Sequence, residues 1–466
     1  MSKPQKILFV HQNFPGQFKH LAAALAADPA YEVAAFICGP QPTVTATATS
    51  TDAAAKPDTW QGVQLHRWQP ARSNTPGLHP WLVDFETKTI RGEAVFKAAL
   101  ALRTATGYVP DAIVAHPGWG ESLFLKEVWP EARLGIYCEF FYHAQGADVG
   151  FDAEFPVAGG LPSESCRLQI KNAYHLLQFQ SADAGISPTH WQASTFPEPF
   201  KSRIRVIHDG IDTEKVKPHP AVEMQLSSGT MGNPIPVRLR RLDAGGPDEI
   251  ITFVNRNLEP YRGYHIFMRA LPEILRQRPR ARVLIVGGDG VSYGAKPPAP
   301  AYANGAGPPS WKTIFHNEIT PQLTPEMQAR IHFLGLVPYP QFLALLQLST
   351  VHVYWSYPFV LSWSLLEAMA AGCAIVASDT APLHEAIRHS DTGLLVDFFD
   401  IAGLAKTVCD LLAQPEAERA RLGQQARAFV QATYDLKTVC LPQQRQWVQE
   451  LLQLPDEAKK RDYFDK

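Results

Sequence analysis

A chain of 466 residues exceeds what one hydrophobic core usually organises, so two domains are expected. A formal net charge of −2 gives non-specific nucleic-acid binding no electrostatic support. Six scattered cysteines without a C-x-x-C pair argue against a disulfide framework or a zinc site, and no run of about 18 apolar residues offers a membrane span.

Lys3 and Lys6 precede only four strongly apolar residues, too few for the core of a signal peptide, and a cytoplasmic protein with reduced thiols is expected. Local basic patches are compatible with peripheral contact at the inner face of a membrane. From the amino end, Ile7 to Val10 reads as a buried parallel strand. The segment HQNFPGQF then turns it into a helix over Lys19 to Ala27, with Pro15-Gly16 permitting a tight turn and close backbone approach to a ligand. This is not the G-x-G-x-x-G of a dinucleotide site. Strands follow at Glu32 to Ile37, Ala112 to Ala115, Gly135 to Cys138 and Ala184 to Ser187, with helices over Thr87 to Arg103 and Ser163 to Phe179 between them. Such alternation predicts an α/β, doubly wound parallel sheet with ligands at the carboxyl ends of its strands. His11, His116, Glu139 and Ser187 stand just past those ends. Glu139 and His143 are the stronger catalytic candidates, because two titratable groups share the aromatic loop CEFFYH.

Arg205 to Ile207 is the last strand of this half, and the domain boundary is expected near 205 to 210. Residues 219 to 248 read as an elaborated linker with a hairpin at Val237 to Leu242. Ile250 to Asn255 is a clear strand, followed by RNLEPYRG and a helix over His265 to Arg276. Val283 to Val286 leads into GGDG. Residues 292 to 311 are rich in Pro and Gly and suggest a surface loop or lid. Ile331 to Phe333, Val351 to Tyr354 and Ala374 to Ala377 complete a second parallel sheet. From Glu416 the chain is helical, with Trp447, Leu451 and Leu452 on one apolar face.

The stretch from Ser356 to Asp379 is the centre of the second half. Ser364 and Glu367 have capping-box spacing, Gly372 sits where a helix stops, and a buried strand follows. Peptide N–H groups at a helix start favour anions such as phosphate, and Glu367 beside them can accept hydrogen bonds from the vicinal hydroxyls of a ribose. Arg256 and Arg262, six residues apart on one loop ahead of Gly263, suit a diphosphate, since each offers a planar fork to anionic oxygens.

These residues resemble the retaining glycosyltransferases of family 4, which have two Rossmann-like domains facing across a cleft in the arrangement called GT-B. The segments VNRNLEPYRG, VIHDGID and LSWSLLEAMAAGCAIVASDTAPLHE with TGLLVDF carry the resemblance, and ILFVHQNFPGQFKHLA resembles the start of one bacterial subgroup. The resemblance implies that Arg256 and Arg262 hold the donor diphosphate, that Glu367 binds the donor ribose, and that the loop with Pro15 and Gly16 approaches the donor. Two positions depart from the family. Phe359 stands where the first glutamate of the E-x7-E motif contacts the transferred sugar, which leaves Ser362, Ser364 or backbone to make those contacts. Glu139, with His143 nearby, stands where a histidine is common.

The expected function is transfer of a hexose, with retention, from a nucleotide diphosphate sugar to a glycan or lipid-linked acceptor in bacterial surface polysaccharide or glycoconjugate synthesis. No cofactor is expected, and with no D-x-D no metal is required. The alternatives are a nucleotide-sugar binding protein without catalysis and a nucleotide-sugar 2-epimerase. The expected domains are 1–207, on the acceptor side and carrying the terminal helix 441–466, and 208–440, on the donor side.

Overall fold

The computed structural model describes residues 3–40, 58–157, 159–219, 221–228, 235–239, 248–298 and 309–455. The chain forms two compact units. The first takes Met1–Ala144, Val157–Gly210 and Lys437–Lys466, and the second takes Gln145–Pro156 and Ile211–Leu436. The division at Gly210 lies three residues beyond the expected end of the first domain. The excursion of residues 145–156 into the second unit has no counterpart in the sequence reading.

The first unit is built on an eight-stranded sheet in the order β3-β4-β2-β1-β5-β6-β7-β8. Its strands are β1 (Gln5–Val10), β2 (Tyr31–Cys38), β3 (Thr59–Trp60), β4 (Val63–Trp68), β5 (Ala112–Ala115), β6 (Arg133–Tyr137), β7 (Ala184–Ser187) and β8 (Ile204–Val206). All pairings are parallel except that of the short β3 with β4. Ile7, Leu8, Phe9 and Val10 are fully buried, as a strand covered on both faces requires. The order reverses between β1 and β5, so the carboxyl ends of those strands open a crevice for ligands.

The helix Leu441–Gln453 packs on this unit through Trp447, Val448 and Leu451, all buried. Gly135 in β6 makes the approach possible, since a Cβ there would lie 2.5 Å from the Trp447 ring. Arg445 with Asp28 (2.6 Å), and the Gln444 amide donating to the His208 carbonyl (2.8 Å), fix the helix laterally.

In the second unit an antiparallel pair, β9 (Met224–Ser228) with β10 (Ile235–Leu239), precedes the main sheet. The predicted hairpin at 237–242 thus begins earlier, and its residues 240–242 lie outside the described residues. The six-stranded parallel sheet runs β13-β12-β11-β14-β15-β16. Its strands are β11 (Glu249–Asn257), β12 (Ala281–Gly288), β13 (Ile331–Gly335), β14 (Val351–Tyr354), β15 (Ala374–Ser378) and β16 (Leu394–Val396). The helix Tyr264–Gln277 is buried along most of its length, and Phe267 stacks on Phe253 of β11 at 4.4 Å. Both units are therefore doubly wound α/β folds. The loop expected at 292–311 falls largely outside the described residues at 299–308. Its first residues are tethered, and Ser310 caps the helix Trp311–Ile319.

Candidate functional site

β11 lies in the middle of its sheet, and its carboxyl end delivers Arg256 and Asn257 ahead of the turn Pro260–Arg262. Gly263 adopts φ +60°, and a Cβ there would lie 2.4 Å from Trp355, so glycine alone lets this turn close onto its helix. Arg262 folds back and is only 7 % exposed. Its Nη1 donates to Ser356 Oγ at 2.9 Å and lies 3.4 Å from the Val360 carbonyl and 3.5 Å from the Tyr354 hydroxyl. The rings of Tyr293 and Phe359 lie 5.1 and 6.0 Å away. Neutral partners thus hold a buried guanidinium, and none of the described carboxylates forms an ion pair with it. Arg256 is exposed on the same wall.

A cavity of about 220 Å³ opens between these groups, lined by Asn257, Glu259, Tyr293, Ser362 and Ser364 as well as both arginines. Glu259 is fully buried, and its carboxylate accepts the backbone N–H groups of Ser292, Tyr293 and Gly294 at 3.0–3.3 Å. It anchors the root of the 292–298 segment beside the cavity. Sequence reasoning missed Glu259, because its partners are backbone groups thirty-odd residues away that leave no side-chain signature.

The start of the helix Trp363–Ala370 also lines the cavity. Ser362, not Ser364, is its N-cap: the Ser362 Oγ accepts from Ser364 N–H at 3.3 Å and lies 2.9 Å from Ser364 Oγ. The capping box expected from Ser364 and Glu367 does not form, since Glu367 falls in the second turn and instead accepts from the Tyr339 hydroxyl at 2.7 Å. The S-x-x-E spacing was satisfied two residues out of register with the actual cap. Ser362 and Ser364 both line the cavity, whereas Glu367 stands apart from its lining with Tyr339. Leu336, 72 % exposed, approaches Gly288 at the end of β12. Phe359 is buried against Tyr261 and Tyr293.

In the first unit, Gly16 adopts φ +48°, and a Cβ would lie 2.2 Å from His11 Nε2. Glycine lets the loop after β1 fold over that ring. His11 Nδ1 accepts from Asn13 N–H, so Nε2–H donates to Gln17 Oε1 at 2.8 Å. Burial, and then the neighbouring His116, push His11 down to about 4, leaving it neutral. Glu139 faces Gln17 (3.5 Å) and His116 Nε2 (3.5 Å). His143, on the same loop, donates from Nε2 to the Thr195 carbonyl at 2.6 Å. Trp119 and Tyr137 flank His116 at 4.5 and 5.3 Å. Ser187, the last residue of β7, donates to the Cys138 carbonyl and is structural.

Two other features bear on ligand binding. A larger cavity of about 560 Å³ lies at the amino ends of β6, β7 and β8. Its arginines are engaged: Arg133 with Asp183, Arg205 with Glu450, and Arg203 with the Ala182 carbonyl. In the second unit, ligand atoms of Asp152, Glu154 and His265 lie within 4.8 Å of one another. Arg269 already holds both Glu154 oxygens at 2.6 Å, so a cation occupies that carboxylate.

The model of the glycosyl transferase family 4 group matches residues 42–216, and that of glycosyl transferases group 1 matches residues 240–429. A D-inositol 3-phosphate glycosyltransferase of Corynebacterium efficiens is 30% identical over 203 residues, which is 42% of either chain. A glycogen synthase of Mycobacterium tuberculosis is 25% identical over 361 residues, 75% of this chain and 72% of the relative. The chain thus spans less than half of the first relative and about seven tenths of the second. Among solved structures, sucrose-phosphate synthase from Thermosynechococcus elongatus matches 96% of this chain and 99% of its own at TM-score 0.64 and 19% identity. Anabaena HepE in complex with UDP and glucose matches 96% and 100% at TM-score 0.59 and 15% identity. These two likenesses concern the fold. A glycosyl transferase family model thus matches each half of the chain, and the fold is that of the GT-B glycosyltransferases.

Proposed function

We propose that the protein transfers a hexose from a nucleoside diphosphate sugar to a glycan or lipid-linked acceptor, with retention and without a cofactor, as in surface polysaccharide or glycoconjugate synthesis. The observation that carries this reading is the convergence of Arg256, buried Arg262 and the Ser362–Ser364 helix start on one cavity at the end of β11. Cleavage of the anomeric C–O bond leaves negative charge on the departing diphosphate. Two guanidiniums and oriented peptide N–H groups offset that charge, more strongly where water is scarce. Glu367, steadied by Tyr339, can accept the vicinal hydroxyls of a ribose, and exposed Leu336 offers an apolar face to a base. HepE has been solved with UDP-glucose, which supports a nucleotide-sugar donor here.

On the first unit, Glu139 within its cluster of Gln17 and His116 is the group offered to the sugar or acceptor. His143 contributes by fixing the following loop on Thr195. Gly16 contributes by seating Gln17 against His11. No described helix is long and apolar enough to cross a membrane. We place the enzyme in the cytoplasm, with any lipid-linked acceptor met at the membrane surface.

The test is a screen of nucleotide sugars, with and without glycan or lipid acceptors, read by nucleotide release and product. Acceptor-dependent release with retained configuration is expected. Conversion of the donor without acceptor would point to an epimerase, and binding without turnover to a silent binding protein. Within that screen, Arg256→Ala and Arg262→Ala should each weaken nucleoside diphosphate binding about tenfold or more, since a hydrogen bond to a charged group contributes about 1.5–3 kcal/mol. Calorimetric titration showing parental affinity in both variants would remove the arginines from the donor site. Transfer should also persist in EDTA, because the arginines supply the charge that a metal would otherwise bring. Loss in EDTA and recovery with manganese or magnesium would assign that task to an ion.

A further inference from the structure

Residues Gln145–Pro156 leave the first half of the sequence between β6 and the helix Gly160–Ser181, yet pack within the second unit. Two carboxylates of this strap, four residues apart, hold the hydroxyls of two tyrosines. Asp148 Oδ2 accepts from Tyr261 at 2.5 Å, and Asp152 Oδ2 accepts from Tyr357 at 2.8 Å. The two tyrosine rings lie 4.8 Å apart, and Tyr357 N–H donates to the Tyr261 carbonyl at 3.0 Å. Phe151, between the two aspartates in sequence, packs on Tyr357 and Phe398 at 5.1 Å each.

The position of those tyrosines matters more than their number. Tyr261 immediately precedes Arg262, and Tyr357 immediately follows Ser356, which accepts from Arg262. The strap therefore braces the backbone on both sides of the arginine's cradle. None of its described residues lines the cavity itself.

We infer that Asp148 is a positioning residue for the donor diphosphate, acting through Tyr261 on the turn that carries Arg262 and follows Arg256. The inference rests on the donor reading above. An arginine fork favours a ligand most when its geometry is set before the ligand arrives, because ordering it afterwards subtracts from affinity. A buried carboxylate holding the Tyr261 hydroxyl fixes the middle of that turn by a charge-assisted bond. Glu154 supplies a contrast. It belongs to the same strap, but it binds Arg269 at an exposed site and takes no part in the cradle.

The experiment is calorimetric titration with UDP, ADP and GDP at a temperature where every variant is folded, alongside thermal unfolding of each. Asp148→Ala and Tyr261→Phe should each weaken the best-bound nucleotide about tenfold, and the double variant no further than either single one. Asp148→Asn keeps an acceptor for the hydroxyl and should recover most of the affinity. Glu154→Gln should lower the unfolding temperature without altering affinity, which separates positioning from general loss of strap stability. Should Asp148→Ala fail to fold, Tyr261→Phe decides alone. Parental affinity in Asp148→Ala or Tyr261→Phe, or an equal loss in Glu154→Gln, overturns the inference and leaves the donor reading standing. A parent protein that binds none of the three nucleotides overturns both.

Discussion

Removal of residues 441–466 should leave the first unit unable to unfold as a single cooperative body and should send most of the protein into the insoluble fraction. The helix Leu441–Gln453 buries Trp447, Val448 and Leu451 on the first unit. At about 1.5–3 kcal/mol for each large apolar side chain, their loss approaches the whole stability of a domain, about 5–15 kcal/mol. The deletion would also uncover Gly135, the one place on β6 where no side chain shields the sheet from water. Surface pairs such as Arg205 with Glu450 add little by comparison, being half exposed. Trp447→Ala separates the packing from the chain crossing: it should cost about 3–5 kcal/mol while leaving the crossing intact. Calorimetric unfolding of both variants measures this, and a truncated protein as stable and active as the parent would show that the helix is dispensable.

The arginine-bearing turn was legible because its signals are local: a strand of apolar residues, a charged pair at its end, and a glycine that a tight turn requires. The same holds for Gly16, whose left-handed conformation and contact with His11 need no side chain. Helix starts were less legible. Ser362 and Ser364 carry the same hydroxyl, and only the path of the backbone decides which one caps. What Glu139 and His143 touch was not legible for a similar reason: loop neighbours in sequence point where tertiary partners draw them, here Thr195 for His143 and His116 for Glu139. The strap was invisible, since GADVGFDAEF shows neither helical nor strand periodicity and its partners lie over a hundred residues away. The outlying strands β3, β4 and β16 were missed as well. They are short or only half buried, and so lack the continuous apolar run that marked the central strands.

Phe359→Glu should both destabilise the second unit and weaken nucleotide binding, although it supplies the carboxylate that the resemblance to family 4 implies at this position. Phe359 is 4 % exposed, with Tyr261 at 5.8 Å, Tyr293 at 4.9 Å and the Arg262 guanidinium at 6.0 Å from its ring. Losing the aromatic side chain from such a site costs about 3–5 kcal/mol. Burying a carboxylate adds a penalty of several kcal/mol, against which Arg262 offers about 4 kcal/mol at 4 Å for an effective dielectric of 20. The packing loss therefore stands, and the attraction that limits the damage takes Arg262 away from an incoming diphosphate. Phe359→Leu removes the ring without adding charge. It should lower stability by a smaller amount and leave nucleoside diphosphate affinity within about threefold of the parent, whereas Phe359→Glu should lose about tenfold or more, as expected when one charged hydrogen bond is diverted. Ser362→Ala and Ser364→Ala provide the complementary case. Their hydroxyls line the cavity, so turnover should fall, with stability changed by no more than the roughly 0.5–2 kcal/mol of a lost helix cap. Thermal unfolding, calorimetric titration and transfer assays on the four variants distinguish these effects. A Phe359→Glu protein that folds normally and transfers faster would mean that position 359 faces the sugar and that Arg262 stays with the diphosphate.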